Sequence, residues 1–444
     1  MSTHPFKRSS LAPELRLDIA LYLKEDYLSL KQLSCVSREW LDSARIPLFE
    51  KFTLFTNTKT LKKLLRFLRG TPHLARYIRT LSVDRRIEFE VERLPPKMRI
   101  EDLLTAVTLL PNLRELALLS CTVLDPRTDP VVDIGSAPPK PRPCKLTLSD
   151  SHIHQCAFAE LFRSLTVIDF SATRLFVPGL EPIPTTFFLA TQTINLGPWM
   201  GVASFKEVEH NRRQPLMANI LDACPDTSTK VDVACNLRDV GEVDAMYRFL
   251  EKKGRHIENL RLDFSKTRKE FIKNNSPLRG SGPDGFGRMF RECDRMIQLS
   301  DCCPSLRTLE IYLPVSSETT WPFTLQERET DSFVVWRYAL RMLASAPRTL
   351  TSIAIDVLVT FDVEQQIIDR STIPLVDWEK WAQVLREFKD LKRLSFGWQH
   401  VMYVPMRYVR KEFDLLQSGR EDDLCSHWME AFRDYVTEKH LLHS

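Results

Sequence analysis

Along residues 11–45, apolar side chains recur at helical spacing. Leu11, Leu15, Ile19 and Leu23 fall every four residues, with Tyr22 beside them, which is the stripe of an amphipathic helix. Pro13 and Glu14 suit its first turn, where proline forfeits no needed N–H and a carboxylate meets the positive helix end. A second helix is predicted from about Ser29 to Val36, with Leu30 and Leu33 inward. A third runs from about Arg38 to Arg45, carrying Trp40, Leu41 and Ala44. Three helices this short make a small core and are marginal alone. Their apolar faces need a partner surface or the rest of the chain.

Beyond residue 77 a different pattern repeats: an apolar residue, two others, an apolar residue, one other, an apolar residue. It fits Ile78-x-x-Leu81-x-Val83, Leu113-x-x-Leu116-x-Leu118, Leu165-x-x-Ile168-x-Phe170 and Ile257-x-x-Leu260-x-Leu262. It fits again at Leu306-x-x-Leu309-x-Ile311, Leu350-x-x-Ile353-x-Ile355 and Leu391-x-x-Leu394-x-Phe396, with weaker copies at Leu146, Ile194 and Val231. Amphipathic helices precede most copies, for example Leu61, Leu64, Leu65 and Leu68, or Met246, Phe249 and Leu250. Pro72, Pro111, Pro225, Pro304 and Pro347 mark the helix-to-strand turns, because proline cannot continue a helix. One short strand per unit, each separated by a helix, predicts parallel pairing.

Composition narrows this picture. The chain has 444 residues, 43% hydrophobic and 27% charged, an ordinary globular balance. Its 62 basic and 58 acidic residues leave a net +4, too small a balance to point to nucleic acid or membrane. Ten cysteines without a C-x-x-C pair are too dilute for a disulfide scaffold and lack the usual zinc spacing. No apolar run approaches the ~20 residues of a membrane helix, and no apolar signal segment opens the chain. The expected location is therefore cytoplasmic, nuclear or both.

Two resemblances follow from these residues. Leu11-x-Pro13-Glu14-Leu15, Ile19, Leu23, Asp26-x-Leu28-x-Leu30 and Val36-Ser37-Arg38-x-Trp40 together resemble an F-box, and the run from Ala44 into Phe52-Thr53-Leu54 resembles its fungal form. The family often has proline directly after the first leucine; here Ala12 stands there and Pro13 follows. The repeats resemble a leucine-rich-repeat solenoid. Leu113-x-x-Leu116-x-Leu118-x-x-Cys121 follows that family's pattern to its terminal cysteine, whereas Thr173, Ser265 and Pro314 occupy the last position elsewhere. The units are uneven, with central positions 22 to 49 residues apart.

The expected fold is an α/β repeat: a tail over 1–10 expected to be disordered, an F-box over 11–54, an irregular leucine-rich-repeat arc over 55–404, and a two-helix cap over 405–444. A doubly wound α/β domain is the alternative. The resemblance implies a non-catalytic substrate receptor of a Skp–cullin–F-box ubiquitin ligase. Leu11, Pro13, Glu14, Leu15, Ile19, Leu23, Leu28, Leu30, Val36 and Trp40 would meet a Skp-type adaptor and, through it, cullin. An unknown protein target would lie on the outward positions of the strands, at Asp169, Asn195, Asp232, Arg261, Asp263, Glu310 and Tyr312. The competing expectation is a repeat scaffold with a degenerate F-box that takes no part in ubiquitin transfer.

Signals for chemistry are weak. Gly280-Ser-Gly-Pro-Asp-Gly285 matches a dinucleotide fingerprint in letters only, because no strand leads into it. His152-x-His154 near Cys144 and Cys156 lacks a second ligand pair, so surface histidines are expected. Cys302-Cys303 reads as buried thiols. No nucleophile elbow occurs. No cofactor or metal is expected. Nine basic residues against one acid between Lys59 and Arg86 read as a solvated helix face, with docking of an acidic partner or nucleic acid as the alternative. Two insertions, 125–143 and 265–285, read as loops.

Overall fold

The computed structural model describes residues 11–55, 61–84, 97–124, 142–173, 175–177, 183–197, 214–234, 240–264, 297–316, 336–360, 378–401 and 407–414. The chain divides into two compact units, Met1–Glu181 and Pro182–Ser444. The tail over 1–10, the glycine-rich fingerprint, the whole of the 265–285 insertion, residues 125–141 of the other and the second expected cap helix lie outside the described residues.

The first unit opens with α1 (Pro13–Tyr22), α2 (Tyr27–Ser34) and α3 (Arg38–Glu50). Pro13 stands in the first turn of α1 as expected. Asp26 caps α2, its carboxylate accepting from the Ser29 amide at 3.1 Å and the Ser29 hydroxyl at 2.6 Å. Those bonds favour the charged form and hold its pKa low. Ser37 caps α3 by accepting from the Trp40 amide. The core of the three helices is thin. Ala20, Leu30 and Ala44 are buried, and with them Arg16, which is paired to Glu39.

Strand β1 (Lys51–Phe55) then begins a parallel sheet. It continues through β2 (Thr80–Asp84), β4 (Glu115–Leu119), β6 (Arg142–Ser149) and β8 (Leu165–Thr173), in that order. Between them lie α4 (Leu61–Gly70), α5 (Pro72–Ala75), α6 (Ile100–Leu109) and α7 (Gln155–Ser164). A small second sheet pairs β3 (Lys97–Arg99), β5 (Thr122–Leu124) and β7 (His152–Ile153) in parallel. The chain turns from one sheet to the other at Ser120 and Asp150, both in the left-handed region (φ 54° and 51°). Short polar side chains tolerate that region better than most.

These turns repeat, and so does the residue that follows each. Cys121 is buried, its thiol 3.4 Å from the Val83 carbonyl on β2. Ser151 is the same position one unit later, its hydroxyl 3.1 Å from the Leu118 carbonyl on β4. The register sets Leu81, Leu116, Leu146 and Phe170 side by side. A bulge between Cys144 and Lys145 shifts β8 by one residue. The fourth copy is therefore centred on Phe170 and Ala172, both buried, and not on Ile168, which is only half-buried. Its terminal position is the buried Leu175, not Thr173.

The second unit carries β9 (Thr193–Leu196), β10 (Lys230–Ala234), β11 (Asn259–Asp263), β12 (Thr308–Ser316), β13 (Ser352–Thr360) and β14 (Arg393–Val401), parallel and in chain order. Ile194, Val231, Leu260, Leu309, Ile353 and Leu394 share one register row and are all buried. Helix α8 (Gln214–Ala223) precedes β10, α9 (Val240–Lys253) precedes β11, and further helices at 336–344 and Trp378–Arg386 precede β13 and β14. A doubly wound sheet reverses its strand order at a switch point. Within each unit the order only advances, which removes that alternative. The cap begins differently from the expectation. Arg407–Asp414 form a strand, β15, antiparallel to β14, where the first of two helices was expected. Arg407, Arg410, Lys411 and Glu412 place charged residues along this edge strand, as edge strands often do.

Candidate partner-binding surfaces

Among the described residues, ten large hydrophobic side chains are exposed, and eight of them lie between residues 11 and 36. They are Leu11, Leu15, Ile19, Leu21, Tyr22, Tyr27, Leu28 and Val36, with Leu28 at 71% and Val36 at 67% exposure. Small alanines at positions 20 and 44 let the three helices approach closely. The larger side chains of the stripe are left outside. Pro13 and Glu14 are also exposed, while Leu23 and Trp40 are half-buried. Leu30 differs from the other residues expected here: it is 1% exposed and belongs to the helices' own core. A cluster of this kind, confined to one end of a chain, marks an interaction surface more readily than scattered exposed leucines do.

The second surface is the outward row of the second unit's sheet. Asn195, Asp232, Arg261, Glu310, Ala354 and Ser395 stand side by side in register, and the next row holds Asp263, Tyr312, Asp356 and Gly397. Strand alternation alone puts them opposite the buried Ile194–Leu394 row. Arg261 organises the centre. Its Nη1 donates to Asp232 Oδ2 at 3.0 Å, and its guanidinium lies 4.1 Å above the Tyr312 ring. The pair is only partly wet, with side-chain exposures of 38% for Arg261 and 14% for Asp232. Burial pushes the Asp232 carboxyl up to about 6; Arg261 opposes the rise, and Asp263 and Glu310 add to it. Burial also disfavours the charged guanidinium, yet Asp232, Tyr312, Asp263 and Glu310 outweigh it and raise Arg261 above its usual value. Three carboxylates thus surround one arginine.

Not every sequence-predicted outward residue joins this cluster. Asp169 lies in the first unit, in register with Lys145, which pairs with Glu115 at 2.9 Å. The bulge moves it one row along, so Ser171 stands in the row of Ser82, Ala117 and Thr147. Ala354 and Ser395 are buried at 3% each, so the open part of the second unit's face lies over β9 to β12. Asp356, buried at 1%, was missed by the sequence reading. The periodic pattern contains it, two residues after Ala354, but an aspartate there gave no sign of its burial.

The residues weighed for chemistry have structural roles. His154 caps α7, its Nδ1 accepting from the Cys156 amide at 3.3 Å. His152 packs on Phe176 with ring centroids 5.0 Å apart, and burial lowers its pKa. Burial pushes the thiols of Cys121, Cys144 and Cys303 up to about 12. No group of three or more metal-ligating side chains occurs among the described residues. No helix among them is long and apolar enough to cross a membrane.

No family model matches the chain, and no curated protein matches it in sequence. Among solved structures it is similar to the leucine-rich repeat-containing protein LegL7 from Legionella pneumophila, at 13% identity and a TM-score of 0.29, covering 82% of this chain and 80% of that one. It is also similar to the Rad7 and Elc1 complex of yeast, at 11% identity and a TM-score of 0.31, covering 86% and 81%.

Proposed function

We propose that this chain is a non-catalytic substrate receptor of a Skp–cullin–F-box ubiquitin ligase, with a body of leucine-rich-repeat type. The observation that carries the reading is the concentration of exposed apolar side chains on α1 and α2, at the residues that resemble an F-box. A receptor of this kind makes no bonds itself. It holds a target beside a ubiquitin-loaded enzyme and contributes proximity. Leu11, Leu15, Ile19, Leu28 and Val36 serve as the adaptor-facing anchors, each worth about 1.5–3 kcal/mol when fully buried. Leu30 supports them from within. The polar row around Arg261 serves the target, because a tied guanidinium offers directed donors at small entropic cost.

The test is co-purification of the full chain with a Skp-type adaptor, beside a Leu15→Asp, Leu28→Asp variant. Both side chains are exposed, so the variant keeps its fold. Capture of the adaptor by the parent and loss of about a hundredfold or more in the variant is the expected result. A folded parent that captures no adaptor overturns the ligase reading.

A further inference from the structure

The residues that follow the three helices hold a concentration of charge that neither surface above uses. No Asp or Glu occurs from Lys51 to Val83, while eight Lys and Arg do. With those eight set aside, the chain has 54 basic residues against 58 acidic ones. This one stretch therefore turns a net −4 into the observed +4.

Helix α4 gathers half of them on one side. Leu61, Leu64, Leu65 and Leu68 are buried, and Phe67 stacks on Phe52 of β1 at 6.2 Å. These contacts fix the rotation of the helix and leave Lys62, Lys63, Arg66 and Arg69 exposed. His73 and Arg76 of α5 continue the cationic surface, also exposed. Arg79 is the exception, paired with Glu50 at 3.3 Å. Among the described residues no ion pair involves the four α4 cations. Lys62 with Arg66, and Arg66 with Arg69, are like-charged neighbours at i,i+4 and i,i+3. Each such pair costs a few tenths of a kcal/mol that nothing on the helix offsets. A solvated face usually mixes both signs; this one carries a single sign over the ~15 Å of a ten-residue helix.

We propose that the exposed cationic face of α4, continued by His73 and Arg76, docks an acidic segment of a partner protein. Charge complementarity selects the sign, and two features select a carboxylate-bearing chain over nucleic acid. Helix α4 offers no stacking platform, because its one aromatic residue, Phe67, is half-buried against Phe52, and at the end of the face the Tyr77 ring is covered on one side by the Arg76 guanidinium, 5.0 Å from its centre. The neighbouring helix α6, which packs on α4, carries Glu101 and Asp102 in its first turn, and a continuous phosphate backbone would have to pass those charges. The inference does not depend on the adaptor reading, since none of these residues belongs to the apolar stripe.

The test uses the full chain and a labelled short peptide of alternating glutamate and serine, followed by fluorescence anisotropy across a salt series. The parent is expected to bind the peptide with an affinity that falls as salt rises. A Lys62→Glu, Lys63→Glu, Arg66→Glu, Arg69→Glu variant is expected to lose about tenfold or more. An Arg248→Glu, Lys252→Glu, Arg255→Glu variant removes three exposed cations from the mixed-sign surface at the end of α9, and is expected to bind within about threefold of the parent. Thermal melts establish that each variant is folded. Equal losses in the two variants would mean the peptide reads net charge alone and would overturn the proposal. So would absence of binding by the parent, or a labelled oligonucleotide of equal charge that binds more tightly through the same four residues.

Discussion

Single positions show how tightly the repeats are joined. Gly254 directly follows α9, and a Cβ built there would stand 2.5 Å from the Cys302 carbonyl oxygen and 2.7 Å from the Cys303 sulfur. The carbonyl belongs to the backbone and cannot swing away. Gly254→Ala is therefore expected to cost about 1–3 kcal/mol by overpacking, read as a lower urea midpoint. Asp232 makes a prediction about pH. Its pKa rises from 3.8 to about 6 on folding, so between those values the native state binds the proton more tightly than the unfolded chain. Its contribution to stability is fully present below about 4 and lost as pH rises through about 6. Asp232→Asn removes this loss. The melting temperature of the variant, relative to the parent, should be higher at pH 7.5 than at pH 5; a difference that does not change with pH would contradict the assignment. The outward position of Asp232 and Arg261 was legible from strand alternation alone. Gly254 was not, because its neighbour lies some fifty residues on and nothing local marks the approach. Ser151 was missed for another reason: serine does there what Cys121 does one unit earlier, and hydroxyl and thiol do not look alike as letters.

At the scale of elements, hydrophobic period predicted the strands well and their register less well. The parallel pairing and the rows from Ile194 to Leu394 follow directly from the repeated template. The fourth copy does not, because a bulge moves the buried row from Ile168 to Phe170, and a bulge leaves no mark in an apolar pattern that offers both residues. Substitution separates the two registers. Phe170→Ala should cost about 3–5 kcal/mol, the range for large core aromatics, and Ile168→Thr less than half of that, both by equilibrium denaturation. Equal costs would return the register to the sequence reading. The second helix was placed two residues late, and the third runs on through Pro47 to Glu50. Of Phe413, Leu415 and Leu416, on which the first cap helix is predicted, only Phe413 lies in β15, where pairing with β14 makes it strand; Leu415 and Leu416 lie outside the described residues.

For the whole molecule, the ladder within each unit makes stability a matter of neighbours. A strand in such an array touches the strand before it and the strand after it, so disturbance should decay along the row. Ile353→Ala on β13 is expected to lower amide-exchange protection in β12, β13 and β14 while leaving β9 and β10 within about 0.5 kcal/mol of the parent. A uniform drop through all these strands would show one cooperative block instead. The repeat body could be read from the sequence at this scale because each unit restates the pattern. The division at Glu181 and Pro182 could not, since the template continues on both sides of it.

Strand order that advances with the chain also bears on how the protein is made. Each strand within a unit pairs on one edge with its predecessor and on the other with its successor, so most pairings join elements that are neighbours in sequence. A nascent chain leaving the ribosome can lay down β1, then β2, then β4, without waiting for its own C-terminus. The same order leaves one open strand edge at the growing end at any moment, and among the described residues of the second unit β15 follows β14 and covers its open edge.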